Sequence, residues 1–456
     1  MICTKSTIRP ALAAMLVVGV SVCGHFHVRS TLAAEVFTFG ANDFGATGLG
    51  LTSGDTVIAT PILTTNLGGK SIVQASGEGR HSLLLASDGS VFAFGFNNAA
   101  QNGFGFTGGE HPIAQPIAMA SLSGKTIVEV STGYQHSLLL ADDGSVFAFG
   151  GNDGGQTGIG VSAGQTLIAT PIDTSNLGGR PIKHVVAGIN FSLILAQDGT
   201  VYSFGSNVAG KGGLGFDGGS VLIATPIDAT NLAGKSIVQM AAGEFHSLLL
   251  ADDGTVFAFG SNSSGQTGLG LSSGSTLLPT PIDTTNLVGK SIVQVAAGYH
   301  HSLLLADDGT VFSFGSNGRG RTGLVADSAY TLVATPIDMS NLDGQTVVQI
   351  AAGADHNLLL TSEGTVFSFG WDLDGETGQG RSTGDTLIAS PIITTNLAGR
   401  RVIGIAAGTV HSFLLAVPEP GTAALLLSGV LVLALQRRRR IGAAGLAAVS
   451  RHSVNT

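Results

Sequence analysis

Apolar residues recur along the chain in short runs, broken by Gly, Asp and Pro, and not at the three-and-four spacing of a helix face. Residues 261–315 show the pattern. Ile292-Val293-Gln294-Val295-Ala296-Ala297-Gly298 is one β-type run, His301-Ser302-Leu303-Leu304-Leu305-Ala306 a second, and Val311-Phe312-Ser313-Phe314 a third. Upstream, Thr280-Pro281-Ile282-Asp283 carries a proline that suits a sheet edge or a strand start. Between the second and third runs, Asp307-Asp308-Gly309 predicts a three-residue hairpin closed by Gly in the left-handed region. Gly stands at the same place in all six complete hairpins: Gly89, Gly144, Gly199, Gly254, Gly309 and Gly364. The second run is apolar on both alternating faces, with His301, Leu303 and Leu305 on one and Ser302, Leu304 and Ala306 on the other. Both faces therefore need cover, and no helical pattern supplies it.

The cover comes from repetition. An aromatic-x-Phe-Gly tetrad ends at Gly40, Gly95, Gly150, Gly205, Gly260, Gly315 and Gly370, always 55 residues apart. The His-Ser-Leu-Leu-Leu run or a variant keeps the same step from His81 through His136, Phe191, His246, His301 and His356 to His411. So does a proline, from Pro61 to Pro391. Small sheets stacked radially make a propeller. The expected fold is an all-β, closed seven-bladed β-propeller of 55-residue repeats. Its first repeat holds only a last strand, Val36–Gly40, and its final repeat stops at Ala416 without one. The N-terminal strand should complete the last blade and remove two exposed edges.

Composition agrees with stacked strands. Gly is abundant at 68 residues, Trp371 is the single Trp, and charged residues make up 11%. The ends differ from the middle. Residues 1–34 carry Lys5 and Arg9, an apolar run from Ala11 to Val22, and Thr31-Leu32-Ala33-Ala34. This order predicts a secretory signal cut after Ala33 or Ala34. Both cysteines, Cys3 and Cys23, fall in it, so the mature chain should lack disulfides, thiolate nucleophiles and Cys-ligated metal. Between Val36 and Ala416, 13 Lys plus Arg stand against 28 Asp plus Glu, a net −15. Such a body repels phosphate backbones, which argues against nucleic acid as a partner.

His-Ser-Leu-Leu-Leu, Asp-Gly-Thr, Val-Phe-Ser-Phe-Gly-Ser-Asn and Gly-Gln-Thr-Gly together resemble the repeat of the regulator of chromosome condensation propellers, over Val36–Ala416. This chain has Phe where that family usually has Trp before the Gly. The resemblance implies the fold, and function must come from the site. After the propeller, at 35–416, Val417-Pro418-Glu419-Pro420 leads into an apolar segment, Ala423–Leu435, and the cluster Arg437, Arg438, Arg439 and Arg440. That order follows the positive-inside rule. Residues 417–440 resemble the PEP-CTERM sorting signal of exported Gram-negative bacterial proteins. The resemblance implies transient membrane insertion and cutting by an exosortase-type protease. Residues 441–456 extend past the usual end of such signals and have no assigned role.

No catalytic, cofactor or metal residues are expected. The recurring histidines, His81, His136, His246, His301, His356 and His411, are spread one per blade, and Phe191 fills the seventh place. They are expected to be partly buried and hydrogen-bonded within their own blades. Adjacent His and Ser point to opposite faces of a strand and make no nucleophile–base pair. Asp372-Leu373-Asp374-Gly375-Glu376 resembles part of a calcium loop but lacks the remaining spaced acids, so a turn is the default. Gly210-Lys211-Gly212-Gly213 opens no helix and cradles no phosphate.

The expected function is a non-catalytic binding or scaffold module at the surface, outer membrane or matrix of a Gram-negative-type bacterium. Its partner would be a glycan, a matrix polymer or a protein. Inhibition of a secreted enzyme ranks lower, because aromatics such as Phe104, Phe106, Phe216 and Tyr330 look scattered among Ser, Thr, Gly and Asn. Guanine-nucleotide exchange, the founding activity of the resembled family, needs an inserted wedge that the constant step does not provide.

Overall fold

The computed structural model describes residues 18–23, 25–28 and 34–419, apart from 163, 273, 326–328 and 382–383. Seven four-stranded antiparallel sheets are present among them. Blades 1 to 6 use consecutive strands and span residues 72–116, 127–171, 182–226, 237–281, 292–336 and 347–391. The first strand of every blade lines the axis, where Gly77, Thr132, Ala187, Ala242, Ala297, Ala352 and Ala407 leave a throat of about 70 Å³. The recurring prolines end the outer strands, at a sheet edge where a missing N–H costs no ladder bond.

Blade 7 joins the two ends of the repeat region. Its order is Arg400–Ala407, His411–Pro418, Glu35–Gly40, Thr56–Pro61. Glu35 pairs with Ala416 and Gly40 with His411 in unbroken register. The N-terminal side supplies two strands here, where one was expected. The reason is that each outer strand belongs to the blade of the Phe-Gly strand before it, so Thr56–Pro61 follows Glu35–Gly40 into blade 7. The last strand also runs to Pro418, with Val417 buried in the closing core. Val417 and Pro418 thus serve the sheet as well as opening the proline motif. The rest of the expected sorting segment, from Pro420 through Arg437–Arg440, and the tail 441–456 lie outside the described residues. Among the described residues no helix is long and apolar enough to cross a membrane. Within the expected leader, Val18–Cys23 pairs antiparallel with His25–Val28.

The doubly apolar strands are explained by the stacking. Leu303 and Leu305 of blade 5 pack with Leu359 and Phe367 of blade 6. Leu304 and Ala306, pointing the other way, pack with Leu248 and Leu250 of blade 4. Each buried Leu contributes about 1.5–3 kcal/mol. The closing blade is packed on both sides in the same way: Phe37, Phe39, Phe413 and Leu415 share one core with Leu84 and Phe94 of blade 1 and Leu358 and Leu360 of blade 6.

The hairpins are as expected. Gly309 N–H donates to Ala306 O at 3.0 Å, with φ +87°, and the other five hairpin glycines lie between +82° and +88°. Gly265, in the loop after the third strand of blade 4, also has positive φ, at +76°. A Cβ there would sit 2.7 Å from Leu332 Cδ2, and one on Gly309 would sit 2.7 Å from Thr346 Cγ2.

Two measurements check this architecture. Deleting residues 35–40 should leave His411–Pro418 with an open edge and Thr56–Pro61 without a partner. A lower melting temperature and association on size exclusion are expected, and a stable monomer would refute the closure. Gly309→Val and Gly265→Val should each lower stability by about 1–3 kcal/mol in urea unfolding. The two costs should be similar, because both sites combine positive φ with a close neighbour.

Candidate functional site

Strand direction sorts the loops onto two faces. The third strand ends where the second begins, as the pairing His81↔Gly95 shows. Loops from inner to second strand and from third to outer strand therefore share one face, the loop face. The opposite face carries the Asp-Gly hairpins. There Lys70–Asp88, Lys125–Asp143, Arg180–Asp198, Lys235–Asp253 and Lys290–Asp308 form repeated ion pairs. Half exposed, such pairs add little stability.

The six recurring histidines are fully buried, and their bonds cross between blades, contrary to the expectation of partial burial and bonding within a blade. Nε2 of His81 meets Ser137 Oγ at 2.9 Å, His136 meets Ser192 at 2.9 Å, His246 meets Ser302 at 2.8 Å and His356 meets Ser412 at 2.8 Å. His301 meets Asn357 Oδ1 at 2.7 Å, and His411 closes the circuit on Ser82 at 3.0 Å. The physical reason is the strand alternation itself. His and the following Ser face opposite neighbours, so each His reaches the Ser of the next blade. Ser82, Ser137, Ser192 and Ser302 each donate to a backbone carbonyl, of Ala46, Gln101, Gln156 and Gln266. The imidazole Nε2 must then be the donor. Room for the ring comes from the glycine at the end of the inner strand: a Cβ on Gly298 would lie 2.2 Å from His301 Cε1. These histidines join neighbouring blades. Among the described residues no group of three or more His, Cys, Asp or Glu is placed to hold a metal ion.

The loop face has two built features. The first is the axial mouth, a concavity of about 360 Å³ lined by Asp43, Arg80, Tyr134, Asn190, Glu244, Tyr299 and Thr409 among others. At its base Thr409 Oγ1 donates to Glu78 Oε1 at 2.5 Å and accepts from Gly79 N–H at 2.7 Å, with Tyr299 OH at 3.2 Å. Burial, opposed by these hydrogen bonds, pushes the Glu78 carboxyl up to about 7. Burial likewise raises the Tyr299 phenol well above its usual range. The second feature was not recognised in the sequence. Leu51, Phe106, Val161, Phe216 and Leu271 occupy one repeat position, and Val325 lies one residue short of it. All six are 49% to 65% exposed. Phe106 and Phe216 are thus members of an apolar rim and are not scattered. Nine residues before each of the first five stands a buried Asn. Its Nδ2 grips that residue's carbonyl: Asn42 to Leu51 at 3.1 Å, Asn97 to Phe106 at 2.9 Å, Asn152 to Val161 at 2.8 Å, Asn207 to Phe216 at 2.7 Å and Asn262 to Leu271 at 2.9 Å. That Asn, at a fixed offset from an apolar residue inside a polar loop, is the signal that would have found the rim.

Comparison with known proteins places this geometry. The family model of the RCC1-like domain matches residues 9–414. The chain belongs to the RCC1-like domain family. The human E3 ubiquitin-protein ligase HERC2 is 28% identical over 385 residues, which cover 84% of this chain and only 8% of the ligase. The secretion-regulating guanine nucleotide exchange factor of Bos taurus is 28% identical over 367 residues, 76% of each chain. Among solved structures, human WBSCR16 superposes with a TM-score of 0.74 at 23% identity, covering 85% of this chain and all of that one. At that identity it shows the shared fold.

Two of the places where this RCC1-like propeller departs from its own repeat bury an ionisable group. In blade 3, Phe191 replaces the histidine, and Lys211 stands where Gln101, Gln156 and Gln266 stand in blades 1, 2 and 4. The Lys211 amine is buried, donates to Ile189 O at 2.7 Å and lies 4.9 Å above the Phe191 ring. Burial pushes it down to about 8. In blade 6, Asp372 fills the Asn position and Glu376 the Gln position. Asp372 Oδ2 is buried without a hydrogen bond among the described residues, and burial raises its carboxyl. Burial, with the nearby Asp374 and Asp372, pushes Glu376 up to about 8. The expected turn is present at this segment.

The histidine circuit predicts acid sensitivity. Burial holds His81, His136, His246 and His356 at about 3, and His301 and His411 at about 4. The unfolded rings titrate near the ordinary value of 6.5. Because the folded values are lower, this contribution is complete above that value and is lost as pH falls toward 3 to 4. The melting temperature should drop steeply below pH of about 6.5. His356→Gln should start lower at neutral pH and lose less on acidification. An unchanged slope in that variant would refute the assignment.

Proposed function

We propose that this chain is an exported, non-catalytic binding or scaffold module at the surface, outer membrane or extracellular matrix of a Gram-negative-type bacterium. The observation that carries the reading is the division of labour between the ring and the loop face. The repeated His and Ser residues are spent inside the ring, while the loop face presents an apolar rim around a polar mouth. Exposed apolar groups held at defined positions are the mark of an interaction surface. Partners considered are a surface glycan, a matrix polymer or another protein. The inhibitor reading uses the same face and is favoured by Phe106 and Phe216 among the rim residues.

Export rests on the sequence of the two ends. The basic and apolar leader of residues 1–34 would send the chain across the inner membrane. Val417-Pro418-Glu419-Pro420 and Arg437–Arg440 would hold it for an exosortase-type protease. Because Val417 and Pro418 belong to the closing strand, truncation is best made after Glu419. The truncated chain should melt like the parent and be lost from its surface or matrix location in the producing cell. Mass spectrometry of the exported protein should find no peptide from residues 441–456, and intact recovery of that tail would refute processing.

A further inference from the structure

The apolar rim covers the loops of blades 1 to 5 and 7 and breaks at blade 6. There Arg381 takes the rim position and Asp372 the gripping position. The blade 6 loop lies against blade 7, where a Cβ on Gly375 would sit 2.9 Å from Val57 Cα, and this contact brings Asp374 beside the segment that carries Asp55, with Asp43 in the same blade 7 loop. Burial raises Asp55 and Asp374, and mutual repulsion adds to it: Asp374 and Asp43 act on Asp55, and Asp43 acts on Asp374. None of the three is in an ion pair among the described residues, whereas Asp88, Asp143, Asp198, Asp253 and Asp308 on the opposite face are. The face therefore has a direction: six exposed apolar side chains and one sector where carboxyls outnumber the single Arg381.

We propose that the loop face is the partner-binding surface, and that its partner is a protein with apolar side chains for the rim and a basic patch for the blade 6–7 carboxyls. This rests on the binding reading above. The Asn grips hold five of the rim backbones before binding, so little ordering entropy is lost there. The acidic sector selects among occupants. It repels a second copy of itself, an anionic lipid surface and a nucleic acid, and attracts a basic protein. On a ring of near-identical blades, one charged sector also fixes the partner's rotational register.

The test uses the full chain expressed in its producing cell, with photo-crosslinking benzoylphenylalanine placed at Phe216 or Leu271 on the loop face, or at Val288 on the opposite face. The probe is the cell's own exported-protein fraction. Adducts should form from positions 216 and 271 and not from 288, and mass spectrometry should find a protein with a basic surface in them. Phe106→Asp should lower the yield from position 216 by about tenfold or more. Asp374→Lys and added salt should lower it as well, with the melting temperature unchanged in either variant. Adducts from 288 alone would overturn this inference and leave the binding reading standing. A self-adduct, a lipid or glycan adduct, or a yield indifferent to these substitutions would do the same. Adducts from neither face would overturn both.

Discussion

The imidazole of His301 donates its proton to a side chain of blade 6, while the Leu residues beside it bury themselves against both neighbours. No blade completes its own polar or apolar needs. A propeller built this way is stable only when every blade has two neighbours, so the ring must close. Six buried His bonds run around the circuit, each contributing about 0.5–1.5 kcal/mol net if intact. Breaking one costs more, because it strands a buried donor. Phe191 leaves one gap in this circuit, between blades 3 and 4, and there Phe191, Leu193 and Leu195 join the ring by packing against Met240, Leu249 and Phe257.

That constraint also decides what can vary. Phe191 is accepted in one place because Lys211 brings its own hydrogen bonds and rests over the aromatic face. Asp372 and Glu376 keep the accepting half of the amide role: Thr377 N–H donates to Asp372 Oδ1 and Asp374 N–H to Glu376 Oε2. Each departure is a change of chemistry at fixed shape. Departures that do not touch the circuit stand at the loop tips, as Arg381 does in the rim position of blade 6.

The ring was legible in the sequence because it is written seven times at one interval, and a repeated Gly or Phe needs no structure to be counted. The direction of the histidine bonds was not. Alternation shows that His and Ser face apart, but only the stacking shows that the Ser of one blade meets the His of the blade before it. The second N-terminal strand was missed because its marker, Pro61, was assigned to the wrong blade. The apolar rim was hidden for a different reason. Its members are Leu, Phe, Val, Phe, Leu and Val, a position without a motif, surrounded by Ser, Thr and Gly.

The closing sheet draws on the first and last strands of the propeller, Glu35–Gly40 and His411–Pro418. During synthesis the second of these emerges from the ribosome only after every other blade has been made. Until then the growing chain is an open stack with raw edges at both ends, lacking the contacts that would lock it. Pairing across such a distance along the chain is slow by nature. The topology thereby orders assembly: blades can stack as they are made, but the ring can lock only in one late step when the two ends meet.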